Sequence, residues 1–150
     1  MDTQPYVAVI GPSEATDDEA ARAEAVGRLL AQRGAVVVCG GLGGVMEAAA
    51  RGAADAGATV LGILPGTDRG DANQHVTVAV TTGMGEMRNA LLVRAADAVI
   101  AVGGAYGTLS EIAFALRTGV PVVGVGTWDL DDVIDAPDAA AAVDLALELA

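Results

Sequence analysis

Two charged residues, Arg88 and Glu111, are the strongest candidates for chemistry in this sequence. Arg88 follows the fourth predicted strand and opens a predicted helix. The N-terminus of a helix carries a partial positive charge, so a cation is disfavoured there unless it has a partner. Arg88 is therefore expected to pair with an anion or a carboxylate, although a solvated position on the helix is the alternative.

Glu111 has two interpretations that place its carboxylate differently. The segment Thr108-Leu109-Ser110-Glu111 matches a capping box, in which the glutamate side chain folds back to accept a hydrogen bond from the Thr108 N–H. A carboxylate that takes part in chemistry would face a pocket instead. The spacing alone leaves both interpretations open.

Glycine-rich segments follow several predicted strands, at Gly11 and at residues 40–44, 83–85 and 103–107. In an open parallel sheet, ligands bind at the carboxyl ends of the strands, and the helix N-termini that follow can hold a phosphate through backbone N–H groups. Turns in any α/β domain also use glycine, so a purely structural role is the alternative. The candidate phosphate- or ligand-binding residues are Gly11, Ser13, Gly41, Gly43, Gly44, Gly104, Ala105, Tyr106, Gly107 and Thr108.

The charge balance limits the class of ligand. Lys and Arg together number 8 and Asp and Glu 20, which gives a formal net charge of −12, and every basic residue is an arginine. A domain this acidic is a poor binder of polyanions, so no nucleic-acid partner is expected. Without lysine there is no P-loop motif either. Any bound anion should be a small phosphorylated molecule held by local donors.

Four other kinds of feature are missing from the sequence. The single cysteine, Cys39, and the single histidine, His75, exclude an intramolecular disulfide and the usual zinc clusters, so no metal site is predicted. No apolar run reaches about 18 residues, and the N-terminus lacks the pattern of a secretion signal. A cytoplasmic protein with no membrane partner is the expectation.

Strands and helices alternate along the chain. Continuous apolar runs predict six strands, at residues 6–10, 35–39, 59–64, 76–82, 98–102 and 121–125, and the last two predicted helices cover residues 108–118 and 136–149. Strands without polar alternation are covered on both faces, which is typical of parallel sheets. The predicted fold is α/β: a single doubly wound Rossmann-like domain over residues 1–150, with a mainly parallel six-stranded sheet flanked by helices.

The candidate residues also resemble a known family. Arg88 stands nine residues before Asp97, and Gly107-Thr108-Leu109-Ser110-Glu111 follows. With residues 40–46 and 62–65, this pattern resembles the Lonely Guy (LOG) family over roughly residues 6–126. Members share a Rossmann-like fold and commonly form dimers. Several cleave nucleoside 5′-monophosphates into free base and ribose 5-phosphate.

The resemblance implies a nucleoside 5′-monophosphate phosphoribohydrolase that requires no cofactor and forms a homo-oligomer. The phosphate would bind the backbone amides of residues 104–108. Glu111 would be catalytic, stabilising an oxocarbenium-like state or orienting water, and Arg88 would hold phosphate or ribose. A charge-assisted pair between Arg88 and Glu111 would keep the carboxylate ionised at neutral pH.

Two departures from the family pattern support an alternative. Asn89 stands where the family has lysine, and Gly103-Gly104-Ala105 replaces Pro-Gly-Gly. The short chain is more similar to a compact branch of the superfamily that includes molybdenum-cofactor carrier proteins, which bind a phosphorylated pterin without turning it over. The alternative is thus a carrier of the molybdenum cofactor, or a protein that binds or senses a nucleotide.

Overall fold

The computed structural model describes residues 3–150 and contains one seven-stranded sheet. The strands are β1 (Tyr6–Ile10), β2 (Val36–Cys39), β3 (Val60–Leu64), β4 (Val78–Thr81), β5 (Ala98–Val102), β6 (Val122–Val125) and β7 (Ile134–Asp135). Their order across the sheet is β4-β3-β2-β1-β5-β6-β7, and every neighbouring pair is parallel. The α/β class and the parallel sheet flanked by helices are confirmed.

Five α-helices connect or follow the strands within the described residues. They are α1 (Asp17–Gln32), α2 (Val45–Asp55), α3 (Arg88–Arg94), α4 (Tyr106–Arg117) and α5 (Ala139–Leu149). One core cluster joins α1, α2 and α5 to one face of the sheet, and a second joins α3 and α4 to the other face. No helix among residues 3–150 has both the length and the apolar stretch that crossing a membrane requires.

The prediction of six strands is wrong by one. The additional strand, β7, has two residues, Ile134 and Asp135, and pairs with Val123 and Gly124 at the edge of the sheet. It lies in an acidic segment without an apolar run, so no hydrophobic pattern marks it. The last helix begins at Ala139 rather than 136, because the Asp138 side chain caps it by accepting a hydrogen bond from the Ala141 N–H at 2.9 Å.

Small residues allow α1 and α2 to approach closely. A Cβ atom added at Gly27 would lie 2.1 Å from the Ala49 carbonyl oxygen, and one added at Gly52 would lie 2.1 Å from the Glu24 carbonyl oxygen. Only glycine therefore fits at either position of this crossing. The high alanine and glycine content thus serves the packing of helices against one another, in place of large aromatic side chains.

The strand order reverses at β1, which lies between β2 and β5. From β1 the chain proceeds outward through β2, β3 and β4, and then returns to start β5 on the other side of β1. At such a reversal the connections leave the sheet in opposite directions and open a crevice at the carboxyl ends of the strands. This crevice is where a ligand site is expected.

Candidate functional site

A cavity of about 350 Å³ occupies the crevice at the carboxyl ends of the strands. Its walls come from the ends of β1, β2 and β3, from α3, and from the start of α4. The lining residues are Val9, Ile10, Gly11, Pro12, Ser13, Gly40, Leu42, Met46, Pro65, Glu86, Arg88, Asn89, Ala105, Gly107, Thr108 and Glu111. Both charged candidates, Arg88 and Glu111, therefore face the same space.

The N-terminus of α4 forms one wall of this cavity. The helix begins at Tyr106 after Ala105, which has no side chain able to cap it. The first four N–H groups of a helix lack acceptors within the helix, so those of residues 105–108 remain free of helical bonds. The Thr108 hydroxyl oxygen Oγ1 is buried on the cavity wall and has no hydrogen-bond partner among the described residues.

The capping interpretation of Glu111 is wrong. It required Thr108 to precede the helix, whereas α4 starts at Tyr106 and Thr108 is already its third residue. Glu111 consequently lies in the second turn, 9 % exposed, with its side chain on the cavity wall. The structure thus selects the interpretation in which the carboxylate faces a pocket.

Arg88 is buried at the start of α3 and holds the ends of two strands. Its Nε donates to the Ile63 carbonyl oxygen at 2.8 Å, and its Nη2 donates to the Gly40 carbonyl oxygen at 3.3 Å. Its Nη1 donates to Asn89 Oδ1. Two of the five N–H groups of the guanidinium are left for other acceptors.

Gly40 makes room for this guanidinium and was not among the sequence candidates. A Cβ atom at position 40 would lie 2.8 Å from Arg88 Nη2 and 2.6 Å from the Met46 sulfur. The sequence marks the glycine-rich segment, but the partner that explains Gly40 is 48 residues away in sequence. No local pattern could have identified it.

Burial dominates the electrostatics of the two charged residues. It raises the pKa of Glu111 to about 7, and the nearby Arg88 lowers it only in part. Burial also lowers the pKa of Arg88 below its ordinary value, against the opposing effect of Glu111. Within residues 3–150 no ion pair joins them. The charge-assisted pair expected between Arg88 and Glu111 is therefore absent from the described residues. Because its pKa is about 7, Glu111 is only partly ionised at neutral pH.

The other candidates divide into two groups. Five of them line the cavity, namely Gly11, Ser13, Ala105, Gly107 and Thr108. Five lie outside its wall, namely Gly41, Gly43, Gly44, Gly104 and Tyr106.

Two residues of the second group have structural roles in the loop after β2. Gly41 and Gly44 have φ angles of 79° and 66°, and a side chain at Gly44 would collide with the Pro12 carbonyl oxygen at 2.3 Å. Their conformation shapes the loop beside the cavity. Their contact with a ligand remains a prediction.

The chain is similar to known proteins in both sequence and structure. The model of the SLOG cluster4 family matches residues 4–147. The molybdenum cofactor binding protein of Rippkaea orientalis has a similar structure, with a TM-score of 0.93, 34% identity and 97% of each chain covered. The molybdenum cofactor carrier protein of Chlamydomonas reinhardtii gives a TM-score of 0.87, 30% identity and 98% of each chain covered.

A LOG protein is also related in sequence. The probable cytokinin riboside 5′-monophosphate phosphoribohydrolase LOGL9 of Oryza sativa subsp. japonica is 31% identical over 112 residues. The match covers 71% of this chain and 49% of the rice protein. The predicted resemblance to LOG-like proteins and molybdenum-cofactor carriers is thereby confirmed, and the chain belongs to the SLOG cluster4 family.

Proposed function

We propose that the protein binds a small phosphorylated molecule and that the phosphate lies against the N-terminus of α4. The observation that carries this proposal is Thr108 Oγ1, a buried hydroxyl on the cavity wall without a hydrogen-bond partner in the described chain. Buried polar groups are nearly always satisfied, so an orphaned one in a cavity indicates a missing ligand or water. The free N–H groups beside it favour an anion.

Such a site explains how a protein with a net charge of −12 could hold an anion. The donors are backbone amides and a hydroxyl, which carry no full charge and need no lysine. Arg88 is the one cation that lines the cavity among the described residues, and it has N–H groups left for an acceptor. Glu86 and Glu111 oppose a doubly charged phosphate, which favours the protonated form of Glu111 when the ligand binds.

Within this class, a phosphorylated pterin such as the molybdenum cofactor is the ligand we favour. Two similar structures belong to a protein that binds this cofactor and to one that carries it, and both align over nearly the whole chain. The donor set suits the phosphate of such a molecule, and the cavity of about 350 Å³ has room for a fused-ring compound. Thr108, the amides of residues 105–108 and Arg88 would hold it.

Binding without turnover fits the charged residues better than hydrolysis does. The LOG resemblance would have Glu111 stabilise an oxocarbenium-like state, a role that needs an ionised carboxylate, whereas burial raises the pKa of Glu111 to about 7. Arg88 is engaged by two strand carbonyls and by Asn89 rather than by Glu111. Both features favour a protein that carries its ligand unchanged.

The variant Thr108→Val tests the phosphate site. It removes the hydroxyl and keeps the shape, so the affinity for AMP and inorganic phosphate, measured by calorimetry, should fall about tenfold or more. Thr118→Val is the matched control, because its hydroxyl bonds the Phe114 carbonyl oxygen at the other end of α4 and should not affect binding. Equal affinities in the two variants would contradict the proposal.

Mass spectrometry of the ligand that copurifies with the protein tests its identity. A phosphorylated pterin recovered intact would support carriage, and after incubation its amount should be unchanged. A nucleotide recovered intact would still support the phosphate site, but it would exclude a pterin as the preferred ligand.

A phosphoribohydrolase is the second candidate function. The observation that favours it is that Arg88 and Glu111 line the same cavity as the free N-terminus of α4, as the LOG resemblance implies. On this reading the wild type releases adenine and ribose 5-phosphate from AMP, and Glu111→Gln loses that activity. Absence of ribose 5-phosphate with any common nucleotide would exclude this candidate.

A further inference from the structure

Helix α4 is held at its start differently from α1 and α5. In α1 the Thr16 hydroxyl accepts from the Glu19 N–H at 3.1 Å and the Glu19 carboxylate accepts from the Thr16 N–H at 3.0 Å. In α5 the Asp138 side chain has the same role. These caps occupy the amides that an anion would need. At α4 no side chain does so, because Ala105 precedes the helix.

The indole of Trp128 holds the start of α4 from outside the cavity. Its Nε1 donates to the Ala105 carbonyl oxygen at 3.1 Å, and the same oxygen accepts the first helical hydrogen bond from the Leu109 N–H at 3.0 Å. Ala105, which precedes the helix, is thus held through its carbonyl group. The N–H groups of the first turn are left free for a ligand.

Trp128 contacts three consecutive residues at this point. A Cβ atom added at Gly104 would lie 3.0 Å from the indole Nε1, so the close approach depends on glycine. The ring of Tyr106 stacks on the indole with the ring centres 6.1 Å apart and the planes 26° apart. Trp128 is itself anchored, because it packs against the core cluster on the α3 and α4 side of the sheet.

We infer that Trp128 is a positioning residue for the ligand's phosphate: by holding residues 104–106 it fixes the direction of the free amides of α4 and of the Thr108 hydroxyl. This inference rests on the proposed phosphate site. Trp128 itself does not line the cavity, so its effect on binding must pass through Ala105 and its neighbours.

The variant Trp128→Phe tests this role, because it removes the N–H donor, along with part of the ring surface, and keeps an aromatic ring beside Tyr106. The affinity for inorganic phosphate and for AMP should fall by the same factor, about fivefold. An equal loss of affinity for the two ligands would assign the effect to the phosphate, which both molecules share. The matched control is Gln4→Met, which removes an N–H donor to the Gly34 carbonyl oxygen at the far end of the sheet and should leave affinity unchanged.

The native protein offers a second measurement, because Trp128 is its one tryptophan. Phosphate bound at the first turn of α4 should shift the fluorescence emission of Trp128, and Thr108→Val should abolish the shift. Either of two results would overturn this inference and leave the proposed function standing. One is a wild-type affinity in Trp128→Phe, and the other is an unchanged emission of Trp128 while calorimetry detects binding. A wild type that binds neither phosphate nor AMP would overturn the proposed function, and this inference with it.

Discussion

Arg88 and Glu111 lie in one cavity, and their surroundings give them different tasks. Arg88 donates to carbonyl oxygens near the ends of β2 and β3, so it fixes the crevice as well as offering its remaining N–H groups to a ligand. Glu111 faces the cavity with a pKa near neutrality, because burial penalises its charged form more than Arg88 stabilises it. A small change in pH therefore alters the charge that a ligand meets.

The raised pKa of Glu111 predicts a loss of stability as the pH rises. The ordinary pKa is 4.5 and the pKa in the folded protein is about 7. The stability that protonated Glu111 contributes is therefore complete below pH 4.5 and is lost between pH 4.5 and 7. The difference corresponds to about 3 kcal/mol of unfolding free energy.

Urea unfolding of the wild type and of Glu111→Gln at pH 4.5 and pH 8 measures this effect. The variant should lack this part of the pH dependence and should be the more stable protein at pH 8. Glu148→Gln, at an exposed position in α5, serves as the control and should follow the wild type. The same change in unfolding free energy between pH 4.5 and pH 8 in Glu111→Gln and in the wild type would disprove the prediction.

Helices α1 and α2 depend on glycine at their crossing, as Gly27 and Gly52 show. Alanine at Gly52 would gain up to about 1 kcal/mol in helix propensity. Its Cβ would lie 2.1 Å from the Glu24 carbonyl oxygen, and such overpacking costs about 1–3 kcal/mol or more. Because the collision is with backbone, the cost should exceed the gain.

We therefore expect Gly52→Ala to lower the unfolding free energy measured by chemical denaturation. Gly107→Ala is the control for stability, because a Cβ at that helical position has no neighbour within 4 Å. Its stability should stay the same or rise. A more stable Gly52→Ala would show that α1 and α2 can separate at no cost.

The elements that the sequence predicted well are those with a strong local signal. The bounds of β1 and β5 agree with the predicted strands, because apolar runs end there at a turn or a glycine. β7 has no such signal, since its pairing with β6 is fixed by tertiary contacts at the sheet edge. The orientation of Glu111 depended on where α4 begins, and Thr108 carries a capping signature that the fold does not use.

At the scale of the whole molecule, one face of the sheet exposes apolar side chains. Val78 and Val80 of β4 are 47% and 42% exposed and pair with Leu61 and Ile63, which face the α3 and α4 side. Because α3 has only 7 residues, it leaves this part of the sheet uncovered.

The homo-oligomer that the LOG resemblance implies remains a prediction, and this face is its candidate interface. Analytical ultracentrifugation should detect more than one subunit in the wild type, and Val80→Glu should shift the population to monomer by placing charge in the interface. Arg28→Glu, an exposed change on α1 at the other face of the sheet, is the control for charge alone and should leave the assembly intact. A monomeric wild type at high concentration would contradict the prediction.

The strand reversal at β1 has a consequence for the synthesis of the protein on the ribosome. Gly11 and Ser13 come from the start of the chain, whereas Thr108 and Glu111 come from its last third, and the cavity exists only when both parts are together. A chain emerging from the ribosome offers no complete site until Glu111 has been translated and α4 has folded against the earlier strands. A ligand can therefore bind only after α4 has been made, and it cannot assist the earlier folding of β1, β2 and β3.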